Sequence, residues 1–189
     1  MEIQEADLYQ KAIEFAARAH RGQYRKYTNE PYILHPINVA EILRDLDMPI
    51  ETIVAGVLHD VVEDTDCTIQ EIEDSFGKVV AEIVNGVTNV AEDKSVPRKE
   101  RFWQNVQHLT KSNEQAQNVK CADIISNMKK FGEVNPDFAA QYTAEKMIVI
   151  DHLYEADSFL ILRAKQAVEA NMEGIRSEHM HLRFLLEKG

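Results

Sequence analysis

The segment Ile50-Glu-Thr-Ile-Val-Ala-Gly-Val-Leu-His-Asp-Val-Val-Glu-Asp64 is the most hydrophobic part of this 189-residue chain and decides its fold. Apolar residues surround most of it, which predicts a central helix buried on nearly every side. His59 and Glu63 are four residues apart, as are Asp60 and Asp64, so each pair is expected to share a helix face. Because a buried carboxylate is costly unless a cation compensates it, this segment predicts a functional site as well as a core.

The rest of the chain also favours helices. Helical periodicity recurs, clean period-two alternation is absent, and the 7 glycines and 5 prolines are few. We therefore predict an all-α fold, one domain of roughly eight to ten helices over residues 1–189. Helices are expected at Leu8–His20, Pro36–Leu46, Ile50–Val62, Thr68–Gly77, Val79–Val87, Phe102–Thr110, Gln115–Lys130, Phe138–Tyr154 and Ser158–Ala170, with one more in Glu173–Gly189.

Local signals refine three boundaries. Pro36 suits the first position of a helix, and the proline disfavours the helical conformation for His35, which is expected just outside that helix. Thr68 followed three residues later by Glu71 is a capping-box pattern that marks a helix start. The polar stretch Ala91–Arg101, rich in positive charge, is expected to be a surface loop.

Composition excludes several classes of function. The 21 basic and 32 acidic residues give a net charge of −11, which argues against a general nucleic-acid-binding protein. The N-terminus has no secretory signal, and no apolar run is long enough to span a membrane. Cys67 and Cys121 show no metal-binding or disulfide spacing and are expected to be ordinary buried thiols in the reduced state. We therefore expect a soluble, cytoplasmic protein; its oligomeric state is left open.

Polar residues interrupt two further apolar segments. Asp123 and Asn127 are four residues apart in one of them, and His35 follows apolar residues in the other. With His59 and Asp60, these residues offer nitrogen and oxygen ligands suited to Mn²⁺, Fe²⁺ or Zn²⁺, whereas the lack of thiolates argues against structural zinc. The alternative is that each is a satisfied core residue. The remaining histidines are interpreted as solvated or edge positions: His20, His108, His152, His179 and His181.

Four segments together resemble the hydrolase domain of RelA/SpoT proteins. They are Arg21-Gly-Gln-Tyr-Arg-Lys26, Glu30-Pro-Tyr-Ile-Leu-His-Pro36, Leu58-His-Asp-Val-Val-Glu-Asp-Thr65 and Val119-Lys-Cys-Ala-Asp-Ile-Ile-Ser-Asn127. The resemblance runs in order from about Tyr9 to about Leu153 and is strongest to the stand-alone small alarmone hydrolases, the metazoan SpoT homologue among them. It implies an HD-superfamily helical fold; the further helices over residues 158–189 lie beyond the resemblance and are expected from the sequence pattern.

The resemblance also implies a reaction and a site. The family reaction is hydrolysis of the 3′-diphosphate of guanosine tetra- or pentaphosphate, a small-molecule nucleotide substrate, to GDP or GTP and pyrophosphate. One Mn²⁺ would be held by His35, His59, Asp60 and Asp123. Glu63 and Asp64 would activate and orient the attacking water. Substrate contacts are implied for Arg25, Lys26, Asn127, Lys94, Arg98 and Tyr142.

Two departures from the family pattern leave the base preference open. The loop between Arg25 and His35 lacks the usual glycine, and Lys130 occupies a position where the family commonly has a small hydroxyl residue. One alternative is therefore the same fold and metal acting on an adenosine alarmone or NADPH. Another is a nucleotide sensor without turnover, against which the intact Glu63–Asp64 pair argues. A purely structural helical scaffold would not explain the four metal-type residues in apolar segments.

Overall fold

A computed structural model describes residues 3–26, 29–91, 93–128 and 136–172. Within these ranges the chain forms ten helices and one isolated antiparallel bridge, and it contains no β-strand longer than this bridge. The prediction of an all-α fold is confirmed. The helices are α1 (Ile3–Ala19), α2 (Leu34–Arg44), α3 (Ile50–Leu58), α4 (Val61–Asp64), α5 (Ile69–Phe76), α6 (Lys78–Val87), α7 (Arg98–Thr110), α8 (Glu114–Met128), α9 (Pro136–Asp151) and α10 (Ser158–Met172).

Helices α3 and α8 lie at the centre of the bundle. Helix α3 packs against α1, α2, α6 and α8, and every residue from Thr52 to Leu58 is buried. Helix α8 packs in addition against α2 and α10. Since α2 contacts both central helices, residues of α2, α3 and α8 that face one another are shielded from solvent. The polar residues of these three helices are therefore brought together in the interior.

Helices α2 and α3 pack closely at Gly56. A Cβ atom placed there would lie 2.7 Å from Leu43 Cδ1 and 3.4 Å from Ala40 Cα. Real Cβ atoms do not approach other atoms at the first of these distances. Leu43 of α2 therefore packs directly against the backbone of α3 at Gly56. The approach brings α2 next to the C-terminal end of α3, where the predicted site residues lie.

The expectation that His35 lies outside its helix is wrong. Helix α2 begins at Leu34, and His35 is its second residue and is buried. The backbone N–H of His35 donates to the carbonyl of Tyr32 at 2.9 Å, which starts the helical turn before the proline. Pro36 still falls in the first turn, where a backbone N–H has no helical partner to lose. Burial of the first turn outweighs the preference against helix before proline.

The expectation of one continuous helix from Ile50 to Val62 is also wrong. The chain turns at His59 and Asp60, and α4 begins only at Val61. Asp60 has φ −96° and ψ −6°, away from regular helical values. The 3.6-residue period continues across the turn, which is why the sequence pattern does not reveal it. The turn redirects the chain after His59.

The predicted capping box is confirmed. Thr68 Oγ1 accepts from the Glu71 backbone N–H at 3.3 Å, and the Glu71 carboxylate accepts from the Thr68 N–H at 2.8 Å. The expected loop over Ala91–Arg101 is shorter than predicted, since α7 begins at Arg98 directly after Pro97. Proline fixes a backbone angle compatible with a helix start, so the basic residues from Arg98 onward are helical.

The segment between α1 and α2 folds back on itself. Tyr24 and Pro31 form the antiparallel bridge, and Arg25 N–H donates to the Glu30 carbonyl at 2.8 Å. Cys67 and Cys121 are free thiols, as expected, but only Cys121 is buried; the expectation that both are buried is wrong for the half-buried Cys67. No helix in the described part of the chain has both the length and the apolar character needed to cross a membrane. The expected helix at Glu173–Gly189 and residue Lys130 fall outside the described ranges.

Candidate metal centre and adjoining cavity

Three helices bring two histidines and an aspartate together. His35 in α2, His59 at the end of α3 and Asp123 in α8 are buried, and each offers one ligand atom within 4.8 Å of the others. His35 Nε2 lies 3.2 Å from Asp123 Oδ1, and His59 Nε2 lies 3.8 Å from the same oxygen. Residues that are 88 positions apart in sequence thus meet because α2, α3 and α8 pack together.

Hydrogen bonds fix both histidine rings with Nε2 towards the centre of this cluster. His59 Nδ1 lies 2.8 Å from the Gly56 carbonyl oxygen, to which it donates. His35 Nδ1 lies 3.0 Å from Ser126 Oγ. The buried His59 Nε2 finds no hydrogen-bond partner among the described residues. An outer hydrogen bond of this kind fixes the ring orientation of a metal-binding histidine.

Asp60 supplies the fourth predicted ligand. Its Oδ2 lies 3.1 Å from His59 Nε2 and 3.5 Å from His35 Nε2. Burial favours neutral His59, but the carboxylates of Asp60 and Asp123 outweigh burial and raise the pKa of His59 to about 9. A positive charge is therefore favoured at His59 Nε2. The two imidazole Nε2 atoms and the two carboxylates form a ligand set that fits a divalent metal ion.

Lys120 is a site residue that the sequence analysis did not single out. It lies one turn before Asp123 in α8, and its Nζ is 2.9 Å from Asp123 Oδ2. Burial would lower the pKa of Lys120, but the carboxylates of Asp123, Glu63 and Asp60 outweigh burial and raise it above its usual range. The ammonium group is therefore a fixed positive charge that holds the second oxygen of Asp123.

Glu63 is held by Asn89 rather than by His59. The Asn89 side-chain amide donates to Glu63 Oε1, and the Asn89 backbone N–H donates to Oε2 at 3.2 Å. The turn before α4 changes the relation that a continuous helix would give, and none of the hydrogen bonds described for Glu63 involves His59. Asn89 follows α6 in an irregular stretch, where no periodicity marks it as a site residue.

The expected pairing of Asp60 with Asp64 agrees with the structure, through a residue that sequence reasoning missed. The Tyr32 hydroxyl lies 2.7 Å from Asp60 Oδ2 and 2.8 Å from Asp64 Oδ2. Burial and the nearby Asp60 carboxylate raise the pKa of Asp64. Burial and the two carboxylates also raise the pKa of Tyr32, which therefore stays a hydrogen-bond donor. The available signal was its place in the segment Glu30–Pro36, which also contains His35.

His20 is buried, so its interpretation as a solvated or edge residue is wrong. Its ring centroid is 4.7 Å from that of Tyr32, and its Nδ1 lies 2.8 Å from Gln23 Oε1. Gln23 in turn donates to the Asp64 backbone carbonyl at 2.9 Å. The residues that follow α1 therefore pack against Tyr32 and contact the backbone of Asp64.

Arg25 and Asn127, two of the predicted substrate contacts, touch each other. Arg25 Nη2 donates to Asn127 Oδ1 at 2.6 Å, and Asn127 Nδ2 donates to Asp123 Oδ1 at 2.6 Å. The Arg25 guanidinium carbon also lies 5.7 Å from the centroid of the Tyr32 ring. Lys26, the other basic residue of this pair, is exposed. One edge of the cluster thus carries positive charge and amide groups.

A cavity of about 250 Å³ adjoins the cluster on the side of Glu63 and Lys120. Its polar lining includes Asn89, Arg98, Arg101, Lys120, Glu145 and Lys146. Apolar residues of α6, α7 and α9 complete the wall. Four cations in a protein of net charge −11 form a local positive pocket, suited to an anionic group.

The remaining predicted substrate contacts differ in position. Arg98 lines the cavity and pairs with Glu145. Lys94 is exposed in the short loop before α7 and does not line this cavity. Tyr142 is half-buried in α9 and has the Lys146 ammonium 4.9 Å from its ring centroid; it too lies outside the cavity lining.

Comparisons with known proteins agree with this geometry. A model of the HD domain matches residues 12–153. The chain is 43% identical over 139 residues to guanosine-3′,5′-bis(diphosphate) 3′-pyrophosphohydrolase MESH1 of Danio rerio, covering 71% of this chain and 76% of that protein. It is 38% identical over 146 residues to the bifunctional (p)ppGpp synthase/hydrolase SpoT of Escherichia coli (strain K12), covering 76% of this chain but only 21% of that protein.

A solved structure is similar as well. The metazoan ortholog of SpoT that hydrolyzes ppGpp superposes with a TM-score of 0.76 and 30% sequence identity. The match covers 89% of this chain and 97% of that one. The similarity therefore extends over nearly the whole of that solved chain, whereas it covers only about a fifth of the bacterial SpoT.

Proposed function

This chain belongs to the HD domain family, and on that basis we propose that it hydrolyses the 3′-diphosphate of guanosine alarmones. The products are GDP or GTP and pyrophosphate. The observation that carries the proposal is the buried cluster of His35, His59 and Asp123, with the half-buried Asp60 carboxylate beside it, next to a cation-lined cavity that Lys120 lines. The names of the relatives support the choice of substrate.

His35, His59, Asp60 and Asp123 are the proposed metal ligands, with Mn²⁺ as the proposed ion. Bound there, a divalent ion would supply Lewis-acid chemistry, lowering the pKa of water and neutralising phosphate charge. The hydrogen bonds to Gly56 and Ser126 keep both Nε2 atoms aimed at it, and Lys120 holds the outer oxygen of Asp123. These contacts fix the ligands before the metal arrives.

Glu63 is the proposed acceptor of the proton of the attacking water. Both of its oxygens accept hydrogen bonds from Asn89, so the carboxylate is held in one orientation. Asp64 is proposed to orient the same water, since the Tyr32 hydroxyl ties it to the ligand Asp60. A positioned carboxylate that takes up a proton in the transition state is the usual general base of such hydrolyses.

The substrate contacts are proposed to divide between two regions. Arg25 and Asn127 lie next to the ligand Asp123 and would face the nucleoside, with Lys26 beside them. The cations of the cavity would receive phosphate groups, with Lys120 nearest to the cluster. Lys94 and Tyr142, which do not line the cavity, would contact a substrate only outside it.

A substrate panel tests the proposal. The purified protein is incubated with Mn²⁺ and either guanosine 3′-diphosphates, their adenosine counterparts or NADPH, and the products are resolved by anion exchange. The expected result is release of pyrophosphate from the guanosine 3′-diphosphates, and its loss in H59A. Cleavage of only the adenosine compounds or NADPH would move the substrate to the alternative class. Nucleotide binding without turnover would identify a sensor and overturn the proposed activity.

A further inference from the structure

The ion pair between Arg98 and Glu145 forms part of the cavity lining. Arg98 Nη1 lies 2.5 Å from Glu145 Oε1, and Nη2 lies 2.9 Å from Oε2. The Glu145 side chain is 11% exposed, and Gln141 also donates to its Oε1 at 3.2 Å. A guanidinium and a carboxylate joined by two parallel hydrogen bonds form the strongest common type of ion pair. Arg98 is therefore held by Glu145 whenever no other anion competes.

Glu145 is the single acidic residue among the described residues that line the cavity. The other charged residues there are the four cations, Arg98, Arg101, Lys120 and Lys146. A carboxylate in a pocket that receives phosphate repels the ligand and also occupies one of its binding groups. Like charges brought together at an interface cost affinity, and discrimination between ligands often depends on such a repulsive element.

We propose that Glu145 is a specificity-determining residue, which competes with phosphate for Arg98 and so limits the negative charge that the cavity accepts. The inference rests on the proposed function, in which the cavity receives phosphate groups. A phosphate group binds the Arg98 guanidinium only if it displaces the Glu145 carboxylate from it. A ligand with more negative charge in the cavity also meets stronger repulsion from the displaced carboxylate.

A purely structural role for the pair is less consistent with the surroundings of α7. The C-terminal half of this helix is anchored by the buried side chains of Val106 and Leu109. Its middle is tied to the preceding loop by Asn105, whose Oδ1 accepts from the backbone N–H groups of Val90 and Ala91. The helix is thus attached independently of its first turn, and Arg98 itself is 57% exposed. An exposed arginine is free to change partners.

Isothermal titration calorimetry with inorganic pyrophosphate and orthophosphate tests the proposal. The protein carries one bound equivalent of Mn²⁺, with free metal removed, and its metal content is measured after each titration. We expect E145Q to bind pyrophosphate on the order of tenfold more tightly than the wild type, with a smaller gain for orthophosphate. The matched control is D151N, which changes the net charge equally on the same helix but pairs with Lys165 outside the cavity.

The double variant E145Q/R98Q shows whether Glu145 acts through Arg98. R98Q alone is expected to weaken pyrophosphate binding, and the gain from E145Q should disappear in its background. A gain no larger than that of D151N, or one that persists in full without Arg98, would overturn the proposal. Since the anion titrations need no turnover, a chain that fails to hydrolyse guanosine alarmones would still give a clear result. Thermal unfolding of each variant reports separately on the pair as a structural link.

Discussion

Glu63→Gln is expected to abolish turnover and to leave both the metal site and nucleotide binding in place. Glutamine has the same length and can still accept one of the two hydrogen bonds from Asn89, but it cannot take up a proton. Loss of a general base typically costs ~10²–10⁴-fold in rate. That loss corresponds to about 3–5 kcal/mol in the barrier, at 1.36 kcal/mol for each tenfold step.

Asn89→Ala provides a graded comparison. It removes the side-chain hydrogen bond to Glu63 Oε1 and leaves the backbone donor to Oε2. A hydrogen bond to a charged group is worth about 1.5–3 kcal/mol, which limits the loss in kcat to about 10- to 150-fold. The structure therefore predicts the order wild type, then Asn89→Ala, then Glu63→Gln, with KM little changed.

The assay measures kcat, KM, metal stoichiometry by atomic emission and nucleotide affinity by calorimetry on the same preparations. Glu82→Gln is the matched control, because this exposed glutamate of α6 pairs with Lys78 and takes no part in the site. If Glu63→Gln turns over at the wild-type rate, Glu63 is not the proton acceptor. If it loses its metal together with its activity, the division of roles between ligands and base is wrong.

Three other perturbations have defined outcomes. His59→Ala removes the unpartnered ligand nitrogen and should lower divalent-metal content along with activity; full metal occupancy in this variant would refute the site. Replacing Lys94 and Arg98 together by glutamine should raise KM, and the effect should be largest at low ionic strength, where exposed charges are least screened. An unchanged KM would place phosphate binding elsewhere. Burial and the Glu71 carboxylate raise the pKa of Cys67 to about 11. Alkylation of Cys67 at pH 8 should therefore be about a hundredfold slower than that of free cysteine, and it should accelerate as the pH approaches 11. Rapid labelling at pH 8 would contradict this.

The helices were largely predictable, because their apolar period and their caps are local properties. Thr68 and Glu71 marked the start of α5 correctly, and the scarcity of glycine and proline indicated the fold class. The errors lie where tertiary contacts override local preference. His35 is helical despite the following proline, and the chain turns at His59 and Asp60 without any break in the apolar pattern.

The site was predictable only for residues whose type is unusual in its surroundings. A histidine or an aspartate in an apolar helix attracts attention, and His35, His59 and Asp123 do come together. Asn89 and Lys120 were missed, because asparagines in loops and lysines in helices are common and their function depends on which neighbour they meet. Glu145 was missed for the same reason, since its partner is 47 positions away.

The contact between Gly56 and Leu43 has a consequence for how sequences of this kind can change. The two positions share one volume, since a Cβ at 56 would lie 2.7 Å from Leu43 Cδ1. A methyl group at 56 therefore calls for a different rotamer or a shorter side chain at 43, and related sequences with a larger residue at 56 should have a smaller or repacked residue at 43. The Gly56 carbonyl also accepts from His59 Nδ1, so a backbone shift at position 56 would disturb the hydrogen bond that orients this imidazole. Substitutions at these two core positions are thereby linked to the orientation of a proposed metal ligand.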